Sequence, residues 1–187
     1  MVTWAPDAYP WVEGRLRITR AALVLVEQDA LRGYANDEEA CGYLRGPASD
    51  ALRCDEHIAM TNLATKLHAL DPVTYFRSAR TFFSFNEKRF DDAVGQSGRD
   101  GCPIKVLYHS HLDAGAYFSP TDAAVMSMGE PPTSEGGPVR LGPGPAWPLA
   151  FLVTSVRRGV VDEHRLFIWD NVANAFAPSV FEILELD

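Results

Sequence analysis

The sequence predicts an α/β layered domain, and three observations carry that expectation. Short β-favouring runs alternate with segments whose apolar residues recur at helical spacing. The length of 187 residues fits a single core with elaborations, spanning 1–187, since an ordinary domain has roughly 100–200. A composition of 47% hydrophobic and 22% charged residues is that of a globular chain and excludes wholesale disorder.

In chain order, residues 15–18 read as a strand, and Thr19 is placed to cap a helix running to Leu31. Ala22, Leu23, Val26 and Ala30 give that helix its apolar stripe, and Gly33 supplies a stop signal. Residues 39–45 form a short strand ended by Gly46 and Pro47, and residues 53–61 form a second extended run. Asp71 and Pro72 have the form of an N-cap and first helical residue, predicting a helix to Val94 with Tyr75, Phe76, Phe82, Phe83 and Phe90 as core side chains. Residues 95–101 are a polar turn. Residues 104–111 are a buried strand, and Ser119-Pro120 opens a short helix. Five Gly and six Pro between 129 and 148 predict a long flexible loop, in which Trp147 would either clamp substrate or pack the loop down. Residues 149–156 and 165–170 read as strands flanking a turn at 157–159.

Lys and Arg total 17 against 25 Asp and Glu, a net charge of −8, and this acidic balance gives no phosphate-neutralising footprint; no nucleic-acid or membrane partner is expected. No uncharged apolar run approaches the ~18 residues of a membrane span. Residues 1–11 include Asp7 and three aromatic residues and lack a basic region followed by an apolar one, so no secretory signal is expected. Cys41, Cys54 and Cys102 are odd in number and unpaired in spacing, which suits reduced thiols in a cytoplasmic protein. Arg outnumbers Lys 14 to 3, a hint of a GC-rich bacterial genome.

The chemistry concentrates in Tyr108-His109-Ser110-His111, followed after seven residues by Ser119-Pro120-Thr121-Asp122. Positions i and i+2 of a strand share a face, so His109 and His111 present two imidazoles together. Imidazole suits zinc, and a catalytic zinc takes three protein ligands and keeps one position open. Asp122, on the first turn of the next helix, is placed to supply the third. Alone, a Ser-x-x-Asp motif reads as helix capping and a His-x-His as two satisfied histidines. Jointly, four residue types at these offsets arise by chance in roughly one such chain in several thousand.

These residues resemble the signature of the JAMM zinc metalloproteases, also called MPN+ or JAB. That family places a glutamate upstream in a Glu-x-Cys-Gly element, and Glu39-Ala40-Cys41-Gly42 matches it. The resemblance covers residues 15–170. It implies a layered MPN/JAMM-like (cytidine-deaminase-like) fold, a central mixed β-sheet flanked by helices. It further implies Zn2+ held by His109, His111 and Asp122, with Glu39 as general base toward the zinc-held water and then acid toward the leaving amine. Ser119 would donate a hydrogen bond to the developing oxyanion. Glu38 competes with Glu39, and the match to Cys41-Gly42 selects Glu39. Leu112 stands where many members have proline, a departure that bears on substrate preference more than on metal binding.

Asp113 reads as a turn carboxylate, and His57, His68 and His164 lack ligand-like spacing. Cys41 reads as a core residue, and Cys54 and Cys102 show no partner. By resemblance, the substrate is a ubiquitin-like or sulfur-carrier protein with a Gly-Gly tail, cut after the terminal glycine in processing or deconjugation, with the 129–148 loop as one wall of the groove. Two alternatives stand beside this: a peptidase releasing a single amino acid, such as cysteine, from a sulfur-carrier tail, and a non-catalytic MPN scaffold. A nucleobase deaminase is excluded, because the sequence has neither His-x-Glu nor Cys-x-x-Cys.

Overall fold

The computed structural model describes residues 4–185. A six-stranded sheet has the order β4-β2-β5-β6-β7-β8, from strands Glu56–Met60, Cys41–Arg45, Ile104–Leu112, Ala150–Arg157, Val160–Asp170 and Ala175–Ser179. Every neighbouring pair is antiparallel except β5 and β6, so the sheet is mixed. A smaller parallel sheet, β3-β1-β9, joins Arg53–Cys54, Leu16–Thr19 and Phe181–Leu184. Among the described residues four α-helices and a 3-10 turn at Pro10–Glu13 complete the fold: α1 (Arg20–Ala35), α2 (Ala64–Leu70), α3 (Glu87–Arg99) and α4 (Pro120–Met126). Among the described residues no helix is long and apolar enough to cross a membrane.

Alternation along β5 divides the core. Val106 and Tyr108 join α1 residues Ala22, Leu23 and Val26 on one face. Leu107 lies on the other with Phe83, Phe85, Phe90, Trp147 and Phe151. Residues 104–111 are all buried, as expected of a strand covered on both sides. Thr19 caps α1 through a 3.2 Å bond from the Ala22 N–H. The helix passes through Gly33 to Ala35 instead of stopping there. Gly33 serves a close approach: a β-carbon would stand 2.6 Å from the Glu38 carbonyl oxygen, so only glycine lets residues 38–40 fold against the helix. Gly42 does the same within the sheet, where a β-carbon would lie 2.3 Å from the Ile58 carbonyl oxygen.

The helix expected over 72–94 does not form. Asp71 Oδ1 accepts the N–H groups of Val73 and Thr74, both at 3.1 Å, but the turn goes no further. Phe83 and Phe85 both enter the core at a spacing of two, which a helix would split between opposite faces. Helix α3 starts instead at Asn86, whose side chain accepts the Arg89 N–H at 2.9 Å. It runs across Gly95 and Gly98, so most of the polar stretch expected as a turn is helical. The extended run 53–61 is divided between β3 and β4, which belong to different sheets. Helix α2 and strands β8 and β9 have no counterpart among the elements expected from the sequence. The turn between β6 and β7 has positive φ at Arg158 (52°) and Gly159 (74°), the twist that a two-residue hairpin needs. Lys105, fully buried, ties down the loop before β4 by donating to the carbonyls of Pro47, Asp50 and Arg53 at 2.7–3.1 Å.

Parallel neighbours cannot be joined by a hairpin, so β5 reaches β6 through a crossover containing α4 and residues 129–148. Apart from one bridge, Glu130 to Arg140, the Gly/Pro segment has no regular structure, but its C-terminal part is tied back to the end of α4. Gly142 N–H donates to Ser127 Oγ at 2.9 Å, and Ala146 N–H to the Met126 carbonyl at 3.0 Å. Trp147 packs edge-on against Phe90, with ring centroids 5.0 Å apart, and beside Phe85 at 5.9 Å. Of its two readings, packing the loop down is the one realised. Trp147→Ala is therefore expected to destabilise the fold by about 3–5 kcal/mol, as for other buried aromatic truncations. A urea-unfolding loss below about 1 kcal/mol would show that this anchor is dispensable.

Candidate metal centre

Three donors converge at the carboxyl end of β5. The strand carries His109 and His111 onto the same face, beside Cys41 of β2, which pairs with His109. The crossover then folds α4 back so that its first turn faces them. Ser119 and Asp122 form a reciprocal capping box: Asp122 N–H donates to Ser119 Oγ and Ser119 N–H to Asp122 Oδ2, each at 3.1 Å. The capping that the Ser-x-x-Asp spacing suggests on its own is thus present, and it also aims the carboxylate. Asp122 Oδ2 lies 3.4 Å from His109 Nε2 and 3.7 Å from His111 Nε2, and the two nitrogens are 3.2 Å apart. All three side chains are buried, with ligand atoms within 4.8 Å of one another.

The protonation chemistry of this cluster suits a cation. His111 Nδ1 lies 2.8 Å from the Gly115 carbonyl oxygen, which can only accept, so Nδ1 donates there and Nε2 is turned toward the cluster. Burial lowers the pKa of His109 against the pull of Asp122, leaving a neutral imidazole at neutral pH. Burial alone would raise the Asp122 carboxyl. His109, His111 and Ser119 outweigh it and hold that group well below the usual carboxylate range. Two imidazoles and one carboxylate are a donor set that fits zinc.

Glu39 lies in the extended chain just before β2, and the strand expected from 39 starts at Cys41. Ala40 N–H donates to Ser110 Oγ at 2.8 Å and Ser110 N–H to the Ala40 carbonyl at 2.9 Å, which extends the β2–β5 pairing toward the cluster. Cys41 opposes His109, and Glu39, two residues earlier, shares its face. Glu39 is buried whereas Glu38 is half-exposed, so the fold separates the two candidates. Burial first, then the Asp122 charge, raises the Glu39 pKa well above 4.5, with Arg77 opposing. Glu39 stands outside the set of three mutually close donors. Ser119 is half-buried, and its hydroxyl proton is free, since Oγ serves the cap as an acceptor.

The remaining candidates take structural places. Asp113, at φ 54°, accepts the Arg158 N–H at 2.9 Å and the Tyr34 hydroxyl at 3.1 Å, away from the cluster. His57 bonds the Tyr108 hydroxyl at 2.7 Å, His68 the Tyr75 carbonyl at 2.7 Å, and His164 lies between Thr154 and Glu27. Burial pushes the thiols of Cys41 and Cys54 up to about 12, so neither supplies a thiolate. Leu112 ends β5 half-buried. Sequence reasoning missed several supports. Phe83 stacks on His109 at 4.4 Å, and Asn62 Nδ2 donates to the carbonyls of Glu39 and Phe82 at 2.9 and 3.0 Å. Asp29, buried in α1, accepts from the Tyr108 hydroxyl. None of these carries a local motif; only Asp29, an acid on the apolar stripe of α1 three residues after Val26, leaves a trace in the sequence.

A mixed sheet with a buried His–His–Asp cluster at the end of a central strand defines an α/β domain with a candidate metal centre. The family model described as prokaryotic homologs of the JAB domain matches residues 23–166, and the chain belongs to that family. The solution structure of protein DSY2949 from Desulfitobacterium hafniense is similar with a TM-score of 0.57 at 16% identity, over 91% of this chain and 94% of that one. A solution structure from Salinibacter ruber aligns at 0.49 and 20% identity, over 90% and 92% of the two chains. The JAB1/MPN domain protein AF2198 from Archaeoglobus fulgidus aligns at 0.48 and 14%, over 91% and 100%. No match is found among curated proteins. The family and the mixed α/β fold expected from the motif are borne out.

Proposed function

We propose that this chain is a zinc metallopeptidase of the JAMM isopeptidase type, hydrolysing the amide bond after the C-terminal glycine of a ubiquitin-like or sulfur-carrier protein. The observation that carries this reading is the buried convergence of His109, His111 and Asp122 with Glu39 on the same face. His109 Nε2, His111 Nε2 and an Asp122 oxygen hold the metal. Zinc in such a site supplies a water whose pKa is lowered from about 15.7 towards about 7. The Glu39 carboxylate takes a proton from the attacking water and returns it to the leaving amine nitrogen. The Ser119 hydroxyl donates to the carbonyl oxygen as its negative charge develops. A Gly-Gly tail suits a narrow approach to buried groups, because it brings no side chains to clash. Three free thiols and an acidic surface fit a cytoplasmic protein.

The test is zinc content followed by cleavage. Wild-type protein is expected to hold about one zinc per chain, and His109→Ala/His111→Ala very little, by elemental analysis. Loaded wild-type protein should then cut Gly-Gly-tailed carriers. Wild-type protein that takes up no added zinc would sink the proposal in favour of a non-catalytic scaffold.

A further inference from the structure

A cavity of about 330 Å3 adjoins the metal centre, between α2, the strap of residues 74–87 and α4. Leu67, Tyr75, Phe76, Phe82 and Val125 make its wall apolar, and Pro131 and Pro132 of the Gly/Pro segment close one side. Thr121, also on the wall, precedes Asp122 in the chain, so the cavity and the cluster share the first turn of α4. Two charged side chains line it, Arg77 and Glu87. Glu87 is exposed in the first turn of α3.

Arg77 is half-buried and lies over the Phe76 ring at 5.3 Å. It donates one long bond, 3.4 Å, to the Thr81 carbonyl and has no carboxylate within ion-pair distance among the described residues. A guanidinium has five N–H donors, so most of its capacity is unused. The same strap bonds to the proposed general base: Glu39 N–H donates to the Ala79 carbonyl at 2.6 Å, two residues from Arg77. The positive charge of Arg77 also reaches the Glu39 carboxyl, where it opposes burial and Asp122. Leu70, Val73 and Tyr75 stand exposed beside the cavity as an apolar ledge.

We propose that this cavity receives the leaving side of the substrate, an apolar residue bearing or followed by a carboxylate, and that Arg77 binds that carboxylate and sets specificity. The inference rests on the hydrolytic reading for its orientation: Glu39 serves the leaving amine, and Arg77 belongs to the strap that touches Glu39. The carboxylate has two sources, the α-carboxylate of a single released amino acid or an acidic side chain in a longer leaving segment. Both present a planar anion to a planar donor fork.

Two peptide pairs separate them. One is acetyl-Leu-Gly-Gly-Phe with a free C-terminus against its carboxamide; the other is acetyl-Leu-Gly-Gly-Phe-Glu-amide against the Gln peptide. In zinc-loaded wild-type protein the carboxylate member of at least one pair should have a kcat/KM higher by about tenfold or more. A preference in the first pair identifies single-residue release, and one in the second pair a longer acidic segment. Arg77→Gln should collapse the ratio to within about twofold while keeping zinc content and Tm, and Arg77→Lys should restore part of it. Binding of the same peptides to zinc-loaded Glu39→Gln protein, followed by calorimetry, reads selectivity without turnover. Equal binding within both pairs overturns the role of Arg77. Selective binding with no cleavage by wild-type protein overturns the peptidase reading and leaves Arg77 in place.

Discussion

Glu39→Ala is expected to keep zinc at the wild-type level and to lose about 10^2–10^4-fold in hydrolysis, the usual contribution of a general acid–base group. Zinc persists because Glu39 stands outside the three mutually close donors. Hydrolysis fails because Asp122, the other buried carboxylate beside His109, is engaged as a donor to the metal, and Glu38 is half-exposed. Single-turnover cleavage and elemental analysis on one preparation check both halves. Loss of zinc would make Glu39 a ligand, and a normal rate would move the base elsewhere. The same residue sets a pH signature in metal-free protein. A carboxyl whose folded pKa is raised above its ordinary 4.5 is bound more tightly by its proton in the native state. The stability it contributes is complete below that ordinary value and is lost as pH rises through the raised folded pKa. Metal-free Glu39→Ala should therefore show a flatter decline of Tm over that interval than metal-free wild-type protein.

Asp122→Asn should lose zinc while α4 stays capped. The amide oxygen can still accept the Ser119 N–H, as Asp122 Oδ2 does at 3.1 Å, but the negative charge facing the two imidazoles is gone. Asp122→Ala removes the acceptor as well, and should cost a further ~1 kcal/mol through the orphaned Ser119 N–H. Thermal unfolding with and without zinc separates the effects, since a ligand raises Tm only through binding to the folded state. Wild-type protein should show a clear zinc-dependent rise, and both variants almost none. An undiminished rise in Asp122→Asn would remove Asp122 from the ligand set.

Part of the site is readable one residue at a time. His109 and His111 share a face because a strand has a period of two, and Ser119 and Asp122 meet because a helix cap has a fixed offset of three. The long strand 104–111 is legible for the same reason: a strand covered on both faces is apolar throughout. The stretch 72–94 misleads because Asp71-Pro72 does make a turn, yet Phe83 and Phe85 enter the core from an irregular strap, at a spacing that a helix would split, while Tyr75 stays exposed. Trp147 has two readings in the sequence because its position depends on Phe85 and Phe90, more than fifty residues away.

The family, the mixed α/β class and the grouping of His109, His111 and Asp122 are all legible in the chain, since each is carried by local spacing or by a motif of fixed order. Packing settles what spacing leaves open: how deeply Glu39 is buried, where Trp147 packs, and that Arg77 lines a cavity with no carboxylate at ion-pair distance among the described residues. Those outcomes depend on register between strands, on a crossover that folds α4 back onto β5, and on burial. Burial belongs to the packed whole, and no window of a few residues contains it.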